Sequence, residues 1–364
     1  MYQGIHEESI KTMDERVLKW ITVLLGILTV VVCTSLYYFP DLHAKAVLAA
    51  QQQIQEDNVS GELVRVEQPD EIVEAEANLD AQLHIELPKE LAEDQISIEN
   101  NYLTQTISVR FEKGVDDYFS NYSVKGSSDH IASLSYYKDG SEGVLALELD
   151  AVYELGNKQY EKGNLYLDFL TPHDVYDKVV VVDAGHGGRA PGAVKQGVSE
   201  KNIDLAILLE LKELFDEDDS NIGVYYTRTS DVNPTLDQRV ELANKSQADL
   251  FVSIHNNSSA SGSFTRTNGT QVLFSESDES ELSSRKFAQI CLDNVVDTLG
   301  SQSRGLLKGD SIYIIRTSEA PVALIEVGFM TNYDELDKLK NSKYQAKAAK
   351  GIYHAIKEAF EEGY

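Results

Sequence analysis

The chain has 364 residues, of which 42% are hydrophobic, and a formal net charge of −28. A chain of this length and composition can bury more than one core, so we expect about two domains with linkers. The 32 Lys and Arg residues form no dense basic run, which argues against a nucleic-acid partner, because phosphate binding needs clustered positive charge.

The first predicted element is a transmembrane helix at residues 20–39, an uncharged stretch of about the 20 residues that a helix needs to cross hydrocarbon. Basic residues precede it, and only Lys45 follows it closely. This charge bias places residues 1–19 in the cytoplasm and the remainder outside, which predicts a single-pass protein of the cell membrane. A cleaved signal peptide is the alternative, although its apolar core is usually shorter, at about 7–15 residues.

Residues 40–95 are predicted to form a spacer followed by an acidic linker. The spacer begins with "LHAKAVLAAQQQIQED", which is compatible with a helix. The acidic residues that follow far outnumber the basic ones, and Pro69 and Pro88 interrupt them. Such a run is typical of a solvated linker, and a cation site is the alternative.

Residues 96–172 are predicted to form a small all-β domain. "TISVRF", "HIASLSYY", "GVLALELDAVYEL" and "NLYLDFL" alternate with period two, and turn-forming clusters separate them. Several short strands at regular spacing indicate a β-sandwich. No cluster of titratable groups resembles a reaction site, so we interpret the domain as a binding or positioning module.

Residues 178–364 are predicted to form a three-layer α/β domain. "KVVVVDAGHGG", "IGVYYTR" and "ADLFVSIHNN" read as buried strands, and they alternate with helical segments such as "EKNIDLAILLELKELFDEDD". The ends of the strands are the expected place for a site.

Three candidate metal ligands fall at comparable places in this domain. His186 follows a strand, Glu200 begins a helix after a Gly-containing loop, and His255 closes the apolar run "DLFVSI". Two imidazoles and one carboxylate are a known way to hold a catalytic zinc, because three protein ligands leave the fourth position for water. Spacing alone leaves alternatives open, since a lone His is more often a structural residue and Glu200 alone is a typical helix-start carboxylate.

From Lys178 to about Glu361 the sequence resembles the zinc-dependent N-acetylmuramoyl-L-alanine amidases of bacterial cell-wall metabolism. The matching stretches are "VVVDAGHGGRAPGA", "SEKNIDLAILLEL", "YYTRTSD", "LDQRVELAN", "ADLFVSIHNNSS", "SRGL", "IYIIR" and "APVALIEVGFMTN", in the order found in the family. The resemblance implies a three-layer amidase domain around a mixed sheet. It also implies peptidoglycan as substrate and a catalytic domain that faces the cell wall.

By this resemblance His186, Glu200 and His255 stand where the family binds zinc. Glu326 stands at the catalytic carboxylate, which would take a proton from water and later give one to the leaving amine. The bond implied is the amide between the lactyl group of N-acetylmuramic acid and L-alanine. Two positions depart from the family pattern: Ala190 stands where Asp is frequent, and Asn256 where a small residue is usual.

Three further residues are candidates for substrate binding. Arg228 and Arg239 would clamp a peptide carboxylate, or alternatively brace a loop, which is the commoner role of such arginines. Asn257 would orient the substrate or shape the turn. The β-rich region weakly resembles the envelope-targeting domain that precedes some of these amidases. A protein activator is a further candidate partner, and the sequence does not identify it.

Two other functions stay open at this stage. The chain would be a catalytically inactive wall-binding protein if its amidase fold had decayed, but all four chemically necessary residues are present. A zinc peptidase or deacetylase acting on the same polymer would use similar ligands.

Overall fold

The computed structural model describes residues 72–73, 81–89, 91–127 and 129–364. The predicted transmembrane helix and most of the predicted spacer and acidic linker lie outside these residues. Within the part of the chain that is described, no helix is both long enough and apolar enough to cross a membrane. All of the described residues belong to one compact unit, Leu63–Tyr364.

The N-terminal part of the described chain consists of two sheets in which most neighbouring strands are antiparallel. A five-stranded sheet has the order β1-β5-β2-β9-β8, and a four-stranded sheet has the order β3-β4-β7-β6. The strands are β1 (Ile72–Val73), β2 (Leu83–Glu86), β3 (Ile96–Asn101), β4 (Thr106–Phe111), β5 (Val124–Gly126), β6 (Ile131–Asp139), β7 (Glu142–Leu149), β8 (Glu154–Glu161) and β9 (Asn164–Leu170).

The alternation in the sequence accounts for the core of these sheets. Along β4, Ile107, Val109 and Phe111 are buried, and the residues between them are only partly covered. The buried side chains of both sheets form one apolar cluster. This is the burial pattern expected where alternate residues of a strand face a common core.

The assignment of residues 83–86 to the spacer and acidic linker of residues 40–95 is wrong. Residues 83–86 form β2, which lies between β5 and β9, and both Leu83 and Ile85 are fully buried. The strand is short and carries His84 and Glu86 on its other face, so its two apolar residues were hidden in the acidic composition around them. The β-rich part therefore begins before Ile96.

The C-terminal part confirms the prediction of a mixed α/β sheet. Its central sheet has the order β13-β10-β14-β17-β15-β16, and β15 runs antiparallel to β17 while the other pairs are parallel. The strands are β10 (Lys178–Ala184), β13 (Ile222–Tyr226), β14 (Leu250–Asn257), β15 (Thr270–Phe274), β16 (Ser303–Lys308) and β17 (Val322–Phe329), with a separate hairpin of β11 (Val194–Lys195) and β12 (Val198–Ser199).

Helices cover both faces of this sheet. The helices are α1 (Pro172–Val175), α2 (Glu200–Asp216), α3 (Leu236–Lys245), α4 (Ser284–Leu299), α5 (Tyr313–Thr317), α6 (Tyr333–Leu339) and α7 (Ser342–Glu361). One apolar cluster joins a face of the sheet to α2, α4, α6 and α7, and a second joins the other face to α3 and α5. The result is three layers.

The run of four valines in β10 reflects burial on both faces. Val180 and Val182 belong to the first of these clusters, whereas Val179 and Val181 belong to the second. A central parallel strand covered by helices on both sides needs an apolar residue at every position. The strand ends at the Gly-rich loop that carries the first candidate ligand.

The β-rich part packs directly against the α/β part. Val152 is 1% exposed and lies in the same apolar cluster as Val179 and Val181. Its backbone N–H donates to the carbonyl of Lys245 at 3.1 Å, and the Tyr225 hydroxyl donates to Glu154 at 2.6 Å. The two parts thus share buried surface.

Candidate metal and catalytic centre

The Gly-rich loop after β10 brings His186 towards α2. His186 has a φ of 59°, in the left-handed region that non-Gly residues rarely adopt. Gly192 has a φ of 66°, and a Cβ atom there would lie 2.5 Å from Glu200 Oε2 and 2.6 Å from the His186 ring. Likewise, a Cβ atom at Gly185 would lie 2.3 Å from the ring of His255. Only glycine at these two places leaves room for the side chains of the candidate ligands.

Glu200 lies between the two histidines. It is the first residue of α2, and its Oε1 atom lies 3.1 Å from His186 Nε2 and 3.1 Å from His255 Nδ1. Its other oxygen, Oε2, accepts a hydrogen bond from the Ala193 N–H at 2.7 Å. Burial raises the pKa of Glu200, but the hydrogen bonds and positive charge of both histidines outweigh this and hold the pKa well below its usual range.

His255 and Glu326 are paired across neighbouring parallel strands. They are register partners in β14 and β17, immediately before an irregularity between His255 and Asn257. Burial lowers the pKa of His255, yet the hydrogen bond to Glu200 and the nearby carboxylates of Asp204 and Glu326 raise it overall to about 9. The imidazole therefore stands in a strongly anionic environment.

Glu326 is a half-buried residue whose Oε2 atom is buried without a hydrogen-bond partner. Among the described residues, nothing donates to or accepts from its Oε2 atom. Burial raises the pKa of Glu326 to about 7, with the positive charge of His255 opposing and the negative charge of Glu200 adding to the shift. A carboxyl group with such a pKa both takes and gives a proton near neutral pH.

Asp204 joins the site, and sequence reasoning missed it. It is fully buried, four residues after Glu200 on α2, and its Oδ1 atom accepts a hydrogen bond from Asn256 Nδ2 at 2.7 Å. Burial raises the pKa of Asp204 well above its usual value. The available signal was the spacing of Glu200 and Asp204, because residues four apart lie on the same face of a helix.

These side chains fit a divalent cation. One potential ligand atom from each of His186, Glu200, Asp204 and His255 lies within 4.8 Å of the others. Imidazole nitrogens and carboxylate oxygens are the donors that zinc takes in catalytic sites. The His186 side chain is 30% exposed while Glu200 is 7% exposed, so the cluster is buried on one side and open to solvent on the other.

Comparisons with known proteins agree with this site. Residues 180–358 match the family model described as N-acetylmuramoyl-L-alanine amidase (Amidase_3). The protein YqiI of Bacillus subtilis (strain 168) is 38% identical over 185 residues, which cover 51% of this chain and 86% of that protein. The germination-specific N-acetylmuramoyl-L-alanine amidase of the same organism is 31% identical over 198 residues, covering 51% of this chain and 81% of the relative. The chain belongs to the N-acetylmuramoyl-L-alanine amidase family.

A solved structure is similar to the same half of the chain. The N-acetylmuramoyl-L-alanine amidase from Clostridium difficile 630 has 30% sequence identity, and the match covers 51% of this chain and 98% of that one, with a TM-score of 0.48. The family match and the germination-specific relative identify this chain as an enzyme of the amidase class, with a hydrolytic activity on peptidoglycan.

In this amidase domain, Arg228 and Arg239 brace the Gly-rich loop that follows β10 and carries His186. Arg239 donates to Asp183 at 2.5 Å and to the carbonyls of Ala184 and His186. Arg228 donates to carbonyl groups of the same loop and of the start of α2, at Ala184, Gly185 and Lys201. Both side chains are almost fully buried, so the interpretation that they clamp a substrate carboxylate is replaced by the bracing alternative.

Loss of Arg239 is expected to destabilise the fold strongly. Asp183 is 1% exposed, and Arg239 supplies the positive charge that pairs with its carboxylate. The hydroxyl groups of Thr227 and Ser253 also donate hydrogen bonds to this carboxylate. Removing one partner of a buried ion pair leaves an uncompensated charge, so Arg239→Ala should lower the free energy of unfolding by about 3–5 kcal/mol. Urea denaturation followed by circular dichroism measures this, with the exposed Arg189→Ala as control; equal midpoints for both variants would contradict the bracing role.

Asn257 shapes the turn after β14. Its Oδ1 atom accepts from the backbone N–H of Ser258 at 2.7 Å, and its Nδ2 atom lies 3.4 Å from Gln271 Oε1. These contacts fit the turn-shaping alternative, and a role in orienting substrate stays a prediction.

Proposed function

We propose that this chain uses a zinc ion held by His186, Glu200 and His255 to hydrolyse the amide bond between the lactyl group of N-acetylmuramic acid and L-alanine in peptidoglycan. The observation that carries the proposal is the convergence of these three side chains beside Glu326. Membership of the amidase family supports the substrate and the bond.

Zinc bound there would supply a Lewis acid for the scissile carbonyl and for the attacking water. The side chains of the site suit zinc: they offer two imidazoles and a carboxylate, Glu200, whose low pKa keeps it ionised. The site is also open to solvent on one side. The water oxygen adds to the amide carbon, and the bond between that carbon and nitrogen then breaks, so a proton must leave the water and reach the nitrogen.

Glu326 carries out this proton transfer. Its carboxylate accepts a proton from the attacking water and, once protonated, gives it to the nitrogen of L-alanine as the C–N bond breaks. The unpartnered Oε2 atom is free to do so, and its pKa of about 7 makes both protonation states accessible. A structural role would instead leave its oxygens bonded to backbone amides.

Two alternative functions differ in their products. A catalytically inactive wall-binding protein leaves peptidoglycan unchanged. A zinc peptidase shortens the stem peptides, and a deacetylase removes acetyl groups from the sugars. The complete ligand set beside a carboxyl group with a raised pKa favours an active amidase over the inactive form.

The location of the enzyme is proposed from its sequence. Residues 20–39 would anchor it in the membrane, with the catalytic domain outside and facing the wall. The β-rich part would then help position the enzyme on peptidoglycan.

Protease added to intact wall-stripped cells is therefore expected to degrade the catalytic domain. Mass spectrometry of the surviving peptides measures this, with a cytoplasmic protein as the control for cell integrity. Peptides containing His255 that survive in intact cells and disappear only after permeabilisation would contradict the proposed topology.

A further inference from the structure

Asp204 is a buried carboxyl group that the mechanism above does not use. It is fully buried on the first turns of α2, one helical turn beyond Glu200. In the described part of the chain its Oδ2 atom has no hydrogen-bond partner. Burying a carboxylate oxygen without a partner costs free energy, so such a group needs a compensating interaction.

Asn256 holds the two buried carboxyl groups of α2, those of Glu200 and Asp204, in place. Its backbone N–H donates to Glu200 Oε1 at 3.1 Å, and its side-chain Nδ2 donates to Asp204 Oδ1 at 2.7 Å. The side chain is 2% exposed. One residue of β14, next to the ligand His255, thus fixes the position of the ligand Glu200 and of Asp204 together.

We infer that Asp204 is a further acidic residue of the cation site, held there by Asn256, and that it raises the affinity of the site for a divalent cation. A potential ligand atom of Asp204 lies within 4.8 Å of those of His186, Glu200 and His255. In the buried interior of a protein, the attraction between a carboxylate and a cation is much stronger than in water. This inference rests on the proposed function, because it assumes that the three-ligand cluster binds a metal.

An effect of Asp204 on metal affinity can be distinguished from a purely structural role. If Asp204 only held Asn256 by a hydrogen bond, Asp204→Asn would retain that bond, because the amide oxygen accepts from Nδ2 in the same way. Metal affinity would then be unchanged. If the charge acts on the cation, the same isosteric substitution weakens metal binding while the metal-free protein keeps its stability.

The test is a titration of the full-length chain with Zn²⁺ in competition with a chelator. Asp204→Asn should weaken zinc affinity by about 10–100-fold, the range typical of groups that support metal ligands. Asn256→Ala keeps the Asp204 carboxyl group but removes the hydrogen bond that positions it, and should weaken affinity to a smaller extent. Asp216→Asn, at the exposed far end of the same helix, removes one carboxylate as a matched control and should leave affinity unchanged.

Thermal unfolding of the metal-free proteins supplies the second measurement. Metal-free Asp204→Asn should unfold at a temperature no lower than that of the metal-free wild type. Equal zinc affinities for the wild type and Asp204→Asn would overturn the inference. If Asp204→Asn does not fold, Asn256→Ala decides, since unchanged affinity there overturns the inference as well. Absence of zinc binding by the wild type would instead refute the proposed function itself.

Discussion

Replacement of Glu326 by glutamine is expected to reduce turnover by about 10²–10⁴-fold, the loss typical of removing a general acid–base group, while zinc content stays at the wild-type level. Glutamine keeps the shape of the side chain but has no oxygen basic enough to take a proton from water. Burial and the raised pKa of Glu326 are the reasons to assign it this proton transfer. The measurement is steady-state hydrolysis of peptidoglycan fragments together with metal analysis of the same samples.

The exposed Glu319→Gln serves as the control, because it removes a carboxylate of the same protein away from the ligand cluster. Loss of zinc together with activity in Glu326→Gln would make Glu326 a metal ligand. Near-normal turnover with zinc retained would move the proton-transfer role to another residue.

Substitution of either His186 or His255 by alanine is expected to remove the metal and with it the activity. The wild-type protein should contain about one zinc per chain, as the three-ligand catalytic pattern predicts. Each histidine contributes one of the three proposed ligands, and the remaining two side chains should not retain the ion at the same affinity. Metal analysis after gel filtration and the hydrolysis assay measure the two effects.

His354→Ala is the matched control, since this histidine is exposed on α7. A chelator should abolish the activity of the wild type and added zinc should restore it. Full activity of a metal-free preparation would refute the metal-dependent mechanism.

The sequence predicted those strands whose burial leaves a regular apolar pattern, either continuous or alternating. β10 has a valine at each of four successive positions because helices cover both faces of the sheet, and this run can be recognised from the sequence alone. β2 escaped prediction because a strand with only Leu83 and Ile85 facing the core has too few apolar residues to stand out in an acidic segment.

The site was predicted in part for a similar reason. His186 follows β10, Glu200 begins α2 and His255 lies near the end of β14. The family resemblance placed these three residues together. Asp204 and Asn256 were not assigned roles, because their hydrogen bond joins a helix to a strand and depends on how the two elements pack. The roles of Arg228 and Arg239 likewise depended on which carbonyl groups the folded loop presents to them.

The most direct test of the amidase activity is mass analysis of peptidoglycan digested with the full-length chain. Cleavage of the proposed bond produces glycan strands that carry free lactyl groups on N-acetylmuramic acid, and intact stem peptides that begin with L-alanine. Glu326→Gln in the same assay should leave the polymer almost unchanged. Shortened stem peptides, deacetylated sugars or an unaltered polymer in the wild-type digest would contradict the proposed reaction.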